Sequence, residues 1–263
     1  DKYINLESFN NQKYKNMKKV LYGEILFNIK NSMPYPNIFV YDKPWYRDAA
    51  MMAMVLKQTD NVELIDDWIS SIDDVYDKQN ADNAEPDNLG ELLYIVSISK
   101  NDHNDLIEDI RMEALKNASN NENGFYLHGF TDGGYHDTYQ NKWYNFGMKS
   151  LGFKNSFANY DTEDSYDGLT WWYGKSSTAY FENNLSEDYP YLSIAQYHKT
   201  GRGKIYLNKN LYPISYEKKG SEANYKKMKV IDSYLVNNEI SPLHTWTASE
   251  LLLFLLDETG NLK

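Results

Sequence analysis

Two kinds of helical segment alternate along this chain, and the alternation restricts what it can fold into. Arg47 to Lys57 (RDAAMMAMVLK) is apolar nearly all round, the pattern of a helix buried on several sides. The next segment is one-sided. Ile65, Trp68, Ile69, Ile72 and Tyr76 recur at three–four spacing, while Asp66, Asp67, Ser70, Asp73 and Asp74 take the other face. Leu89 to Ile98 (LGELLYIVSI) is again mostly apolar. After the turn at Asp102–Asp105, a single stripe returns at Ile107, Ile110, Ala114 and Ala118. A repeat of about 40 residues that alternates buried and amphipathic helices predicts helical hairpins in two concentric layers. A globin-like or irregular bundle is the competing all-α arrangement.

The later segments are less regular. Tyr139 to Leu151 and Gly168 to Tyr173 are predicted short helices, and Tyr191 to His198 a further inner one. Ser221 to Val236 is predicted as an outer helix, and a last helix runs from Thr245 to just before Gly260. Lys204 to Tyr216, alternating around Asn208-Lys209-Asn210, predicts a small hairpin or extended loop. His128 to Asp137 (HGFTDGGYHD) is Gly-rich and predicts a loop. With no low-complexity tract or linker, residues 1–263 read as one domain.

Composition removes several function classes. The chain has 263 residues, 41% hydrophobic and 15% aromatic, enough for a sizeable core. Its 38 acidic against 27 basic residues give a net charge of -11, without the basic footprint that phosphate backbones need. There is no cysteine, hence no disulfide, thiol nucleophile or Cys-ligated metal. No apolar run approaches the roughly 20 residues of a membrane span, so a soluble protein is expected. The chain starts at Asp1, where a removed leader would be invisible, and a secreted or cell-surface location is favoured over a cytoplasmic one. No cofactor and no metal are expected.

The unusual residues gather just before, or in the first turn of, the apolar helices. Trp45, Arg47 and Asp48 stand at one start, and Glu85, Pro86 and Asp87 at the next. Asp161, Glu163, Asp164 and Tyr166 precede Trp171-Trp172, and Asp188 to Tyr191 precede the following segment. Pro242, His244 and Trp246 mark the last. Acids at helix starts are ordinary caps, and capping is the simplest account of any one of them. Capping does not account for Trp or Tyr at these starts. If the inner helices run parallel, their N-termini form a bowl of carboxylates, aromatics and one Arg. Such a bowl suits a sugar, whose apolar faces stack on rings and whose hydroxyls bond to carboxylates and Arg. Glycoside cleavage further needs two carboxyl groups across the scissile bond.

The runs Trp45-Tyr46-Arg47-Asp48-Ala49-Ala50-Met51 and Glu85-Pro86-Asp87-Asn88-Leu89-Gly90 resemble the six-hairpin (α/α)6-toroid glycosidases, closest to the glucoamylase-like glycoside hydrolases. The resemblance implies that Arg47 and Asp48 grip the sugar. It implies that the general acid is Glu163 or Asp164, in Tyr160-Asp161-Thr162-Glu163-Asp164. It also implies that Pro242-Leu243-His244-Thr245-Trp246 opens the final inner helix, with the base upstream of it. The upstream carboxylates are Glu217, Glu222, Asp232 and Glu239, with Glu222 ranked first and Glu85 or Asp87 as further choices for the second carboxylate. Trp45, Glu85, Asp87, Tyr166, Trp171, His244 and Trp246 are expected to bind the substrate with Arg47 and Asp48. The chain is short for twelve helices, so the toroid is expected to be incomplete, with a hairpin missing or abbreviated at the N-terminus.

Other signals fail. Glu163 to Gly174 lacks the first and last carboxylates of a calcium loop. His128, Asp132, His136 and Asp137 read as a polar loop or a rim of the sugar site rather than a metal cluster. Two rival functions stand beside the hydrolase: a non-catalytic glycan-binding or surface protein, and a polysaccharide lyase on a related toroid. In the lyase, Tyr and His would abstract a proton beside a uronate neutralised by Arg47.

Overall fold

The computed structural model describes residues 12–154 and 215–262, together with residues 4, 6, 9, 10 and 157. About half of these are helical, and the only sheets among them are two-stranded and antiparallel. The first helix, α1 (Lys15–Phe27), is followed by the β1 (Ile29–Lys30) and β2 (Met33–Pro34) pair. Then come α2 (Tyr46–Gln58), the single turn α3 (Asp66–Ile69), α4 (Asp87–Ser97) and α5 (Asn104–Lys116). The hairpins β3 (Ala118–Asn121) to β4 (Gly124–Leu127) and β5 (Phe130–Thr131) to β6 (Gly134–Tyr135) lead into α6 (Asp137–Ser150). After residue 214 the chain forms β7 (Tyr216–Lys218), a 3-10 turn at Tyr225–Val230 and α7 (Ser233–Asn237). It ends with β8 (Ile240–Pro242) and α8 (Thr245–Glu258).

The apolar and one-sided segments differ as their patterns require. Every residue of α2 from Tyr46 to Leu56 is buried, as is every residue of α4 from Asp87 to Val96 and of α8 from Thr245 to Leu256. Helix α5 buries only Ile110 and Ala114. Helices α8, α2, α4 and α6 are neighbours in that order, with α1 against α8 and α5 against α4. The α4–α6 crossing is unusually close. A Cβ on Gly90 would lie 2.2 Å from the backbone nitrogen of Tyr144, and one on Gly147 2.6 Å from Leu93 Cβ. Only glycine at both positions lets the two helices meet there. No helix among the described residues is long and apolar enough to cross a membrane.

Several local expectations are corrected. The predicted helix over Ile65 to Tyr76 stops after one turn at Ile69. Ser70 and Ser71 donate to the carbonyls of Asp66 and Trp68 and the Asp74 carboxylate accepts the N–H of Tyr76, the competition that keeps Asp and Ser out of helix interiors. The Asp77 carboxylate accepts the N–H of Tyr46 at 2.6 Å and so caps α2 from a distance, while Tyr46 Oη donates to the carbonyl of Asp74 at 2.7 Å. Ser221 to Val236 is not one helix but a 3-10 turn and the short α7. His128 to Asp137 is not simply loop, because Asp132 (φ 43°) and Gly133 (φ 86°) form a tight turn between β5 and β6. Asp-Gly is a strong hairpin signal, since both turn positions need positive φ. The hairpin expected at Lys204 to Tyr216 lies outside the described residues except for its end, where Tyr216 opens β7. Helix α1 has no counterpart among the segments read from the sequence.

Candidate functional site

The N-terminal ends of α2, α4 and α8 converge. None of the residues preceding them, Trp45, Pro86 and His244, makes a side-chain cap, and the nearby carboxylates bond to side chains from other elements. Arg47, on the first turn of α2, donates from Nε to Asp87 Oδ2 at 2.9 Å and from Nη2 to Glu85 Oε2 at 3.2 Å. Its Nη1 lies 3.8 Å from Asp132 at the β5–β6 turn. Glu85 Oε1 accepts from Asn80 at 2.9 Å and from the N–H of Asp132, which ties the hairpin to the start of α4. Burial opposes the guanidinium charge, but Asp87, Asp132 and Glu85 outweigh it and hold the proton firmly. Arg47 is thus occupied by carboxylates of its own chain.

One residue further along α2, Asp48 turns the other way. Its Oδ1 lies 3.4 Å from His244 Nε2 and 3.5 Å from Thr245 Oγ1, both at the start of α8. The same imidazole nitrogen is 3.5 Å from Glu217 Oε1. The Asp48 and Glu217 oxygens are therefore at most 6.9 Å apart, the sum of the two distances. Glu217 comes from β7, which pairs with β8 in the register Glu217↔Ser241. Strand β8 continues through Leu243, held at φ 67°, into His244. Positive φ is uncommon for a residue of this size. The Leu243 N–H bonds to the Ser215 carbonyl at 3.0 Å, and its own carbonyl accepts from Asn28 Nδ2 at 2.8 Å. The two-stranded sheet and this pinned corner fix Glu217 relative to His244.

Glu217 is oriented atom by atom. Tyr41 Oη donates to Oε2 at 2.9 Å, and Ser241 Oγ lies 3.5 Å from the same oxygen. This leaves Oε1 toward His244 and the cavity. Gly220 is needed beside it, because a Cβ there would sit 2.3 Å from Glu217 Oε2 and 2.5 Å from Tyr41 Oη. The Tyr41 ring packs edge-on to Trp45 at 5.5 Å.

These groups line an open cavity of about 310 Å³, walled by Trp45, Asp48, Glu217, His244 and Trp246, with Tyr41, Arg47 and Asp132 beside them. Burial raises the Glu217 carboxyl to about 7, against the Tyr41 hydrogen bond, with Asp132 raising it further. Its side chain nonetheless keeps 22% of its surface exposed, through the cavity opening. Burial likewise raises Asp48 to about 6, opposed by His244. Burial lowers the imidazole below its ordinary value, with Asp48 opposing. Two carboxyl groups that titrate near neutrality, beside a neutral imidazole and two indoles, can exchange protons with a bound hydroxyl or water.

Of the residues expected from sequence, Trp45, Arg47, Asp48, His244 and Trp246 share this cavity. Glu85 and Asp87 stand behind Arg47 and do not line it. Glu222 is exposed with φ 56° and is not in the cavity wall, so the upstream carboxylate at the site is Glu217 instead. Glu163, Asp164, Tyr166 and Trp171 lie outside the described residues. Among the described residues no group of three or more His, Asp or Glu side chains is arranged to hold a metal ion. His128 instead meets Asp137 at 3.0 Å and stacks on Tyr135. The chain matches no family model, and comparison with curated proteins and with solved structures likewise returns no significant match.

Proposed function

We propose that the chain is a glycoside hydrolase built on a helical toroid, with Glu217 as the general base. The observation that carries this reading is the Glu217 carboxyl. It is half-buried and raised to about 7, with Oε2 fixed by Tyr41 and Oε1 turned toward Asp48 and His244 in a cavity flanked by two indoles. Trp45 and Trp246 line the cavity, where indoles suit contact with a pyranose ring, and Asp48 with His244 holds a hydroxyl. Once ionised, Glu217 accepts a proton from a water through Oε1. The proton donor is Glu163 or Asp164, as the resemblance implies. Arg47 acts as a strut joining α2 to α4 rather than as a direct sugar ligand, since Glu85 and Asp87 occupy its Nε and Nη2.

The lyase reading loses support because burial raises the Tyr41 phenol well above its ordinary range, which suits a donor and not a base.

The test is hydrolysis of a panel of oligo- and polysaccharides followed by reducing-end release. Glu217→Gln should lower turnover by about 10²–10⁴-fold, the usual worth of a general base, while sugar binding survives. Full activity in Glu217→Gln would sink the assignment. An unsaturated product absorbing in the ultraviolet would show elimination instead.

A further inference from the structure

We infer that the saccharide taken by this cavity carries a negatively charged substituent, bound at the mouth by Lys218 and Lys219. The inference rests on the saccharide reading of the site and concerns its substrate class.

Both lysines border the cavity at the end of β7, next to Glu217, and both are exposed. Neither forms an ion pair among the described residues, although the chain has a large excess of acid. Ion pairs form at Lys78–Asp74, Lys116–Glu113 and Lys227–Asp42, and what sets Lys218 and Lys219 apart from the other unpaired lysines among the described residues is their place at the cavity. The strand end that carries the pair is fixed. Lys218 is in register with Ile240, the Lys219 N–H bonds to the Glu239 carbonyl at 2.9 Å, and the Gly220 N–H bonds to Tyr225 Oη at 2.7 Å. Lys219 itself is held at φ 53°, a conformation that a lysine seldom adopts. The third cation of the wall, Arg47, is already neutralised by Glu85 and Asp87. Among the described residues the wall thus joins carboxyl groups and indoles to two exposed lysines that form no ion pair. A neutral sugar would leave that positive edge without a partner. A sugar bearing a carboxylate, sulfate ester or phosphate would fill it with charge-assisted bonds.

Matched sugars that differ in charge test this by calorimetric titration: glucose against glucuronate, galactose against galacturonate, and glucose against its 6-sulfate and 6-phosphate. We expect wild type to bind at least one charged member roughly tenfold or more tightly than its neutral partner, as one charge-assisted bond allows. The preference should fall as salt rises. In Lys218→Gln/Lys219→Gln it should shrink toward equality with neutral-sugar affinity unchanged. The three charged classes separate the sources of the anion. Equal affinity for charged and neutral members, a preference that survives the double replacement, or no binding of any of them overturns the inference. Cleavage confined to neutral oligosaccharides would also overturn it while leaving the hydrolase standing. Charged-sugar selectivity without cleavage of any oligosaccharide would support it and remove the hydrolase.

Discussion

Replacing Glu217 by Gln should make the protein more stable, and only above acidic pH. The native carboxyl is raised from an ordinary 4.5 to about 7, chiefly by burial. Below pH 4.5 both folded and unfolded chains carry the proton, and the site contributes nothing through ionisation. Between 4.5 and 7 the unfolded chain loses its proton first, so stability falls as pH rises. Above 7 the full penalty is present. At about 1.4 kcal/mol per tenfold, the rise from 4.5 to about 7 corresponds to roughly 3 kcal/mol. Gln keeps an acceptor for Tyr41 and removes the buried charge. Thermal or urea unfolding of wild type and Glu217→Gln should therefore coincide near pH 4 and diverge by about 3 kcal/mol at pH 8, or about 6–10 °C in melting temperature. The variant should also lose turnover. Stability gained where activity is lost marks a group retained for chemistry. Equal stability of the two proteins at pH 8, or a difference independent of pH, would refute the reasoning, because the carboxyl would then carry no ionisation penalty in the fold.

Other expectations follow from the same geometry. Tyr41→Phe removes a hydrogen bond that favours the ionised carboxylate, so Glu217 should titrate higher still. The low-pH limb of the rate profile should move up by about one pH unit, and an unmoved limb would show that Tyr41 does not tune the base. Gly220→Ala places a methyl group against the same pair and should shift that limb in the same direction. Arg47→Met strands Glu85 and Asp87 in the interior and should cost about 3–5 kcal/mol by urea unfolding at neutral pH, less in acid where the two carboxyls protonate. Gly90→Ala forces a side chain against the backbone of Tyr144 and should cost about 1–3 kcal/mol at any pH.

Burial period was the most legible feature of the sequence. The uninterrupted apolar character of Ala49 to Leu56, Leu89 to Val96 and Leu251 to Leu256 announced helices covered on all sides, and those residues are buried. The clustering of Arg47, Asp48, His244 and Trp246 could also be anticipated, because parallel helix starts bring their residues to one end. Glu217 was harder to choose. Its neighbourhood depends on the pairing of β7 with β8, two strands of three residues each, too short for alternation to reveal. Glu222 lies closer to the apolar helix in sequence, but three residues separate it from the end of β7, the strand whose register brings Glu217 to the cavity. The loss of the helix after Ile69 was hidden for a different reason. The stripe of Ile72 and Tyr76 persists in space because the extended chain still packs those side chains against the core. A helical period and a buried loop can present the same apolar list, and here the Asp77 carboxylate and the Asp74 backbone carbonyl bond to Tyr46 of α2 instead of continuing a helix.

The role of Arg47 follows from the same competition for partners. At the N-terminus of a buried helix, the positive end of the dipole favours acids and disfavours a guanidinium. Arg47 sits there only because Glu85 and Asp87, at the start of the adjacent helix, supply two carboxylates within 3.2 Å. An Arg committed to that pair stiffens the junction between α2 and α4, and leaves Asp48, the next residue, as the group that α2 sends into the cavity. Asp48 then has no arginine within bonding distance among the described residues and meets the neutral His244 instead. Burial is the chief cause that keeps Asp48 and Glu217 titrating near neutrality, and the opposing pull of His244 and Arg47 on Asp48 does not undo it. A site of the proposed kind needs carboxyl groups that give and take protons in that range, and the commitment of Arg47 to Glu85 and Asp87 leaves burial to set them there.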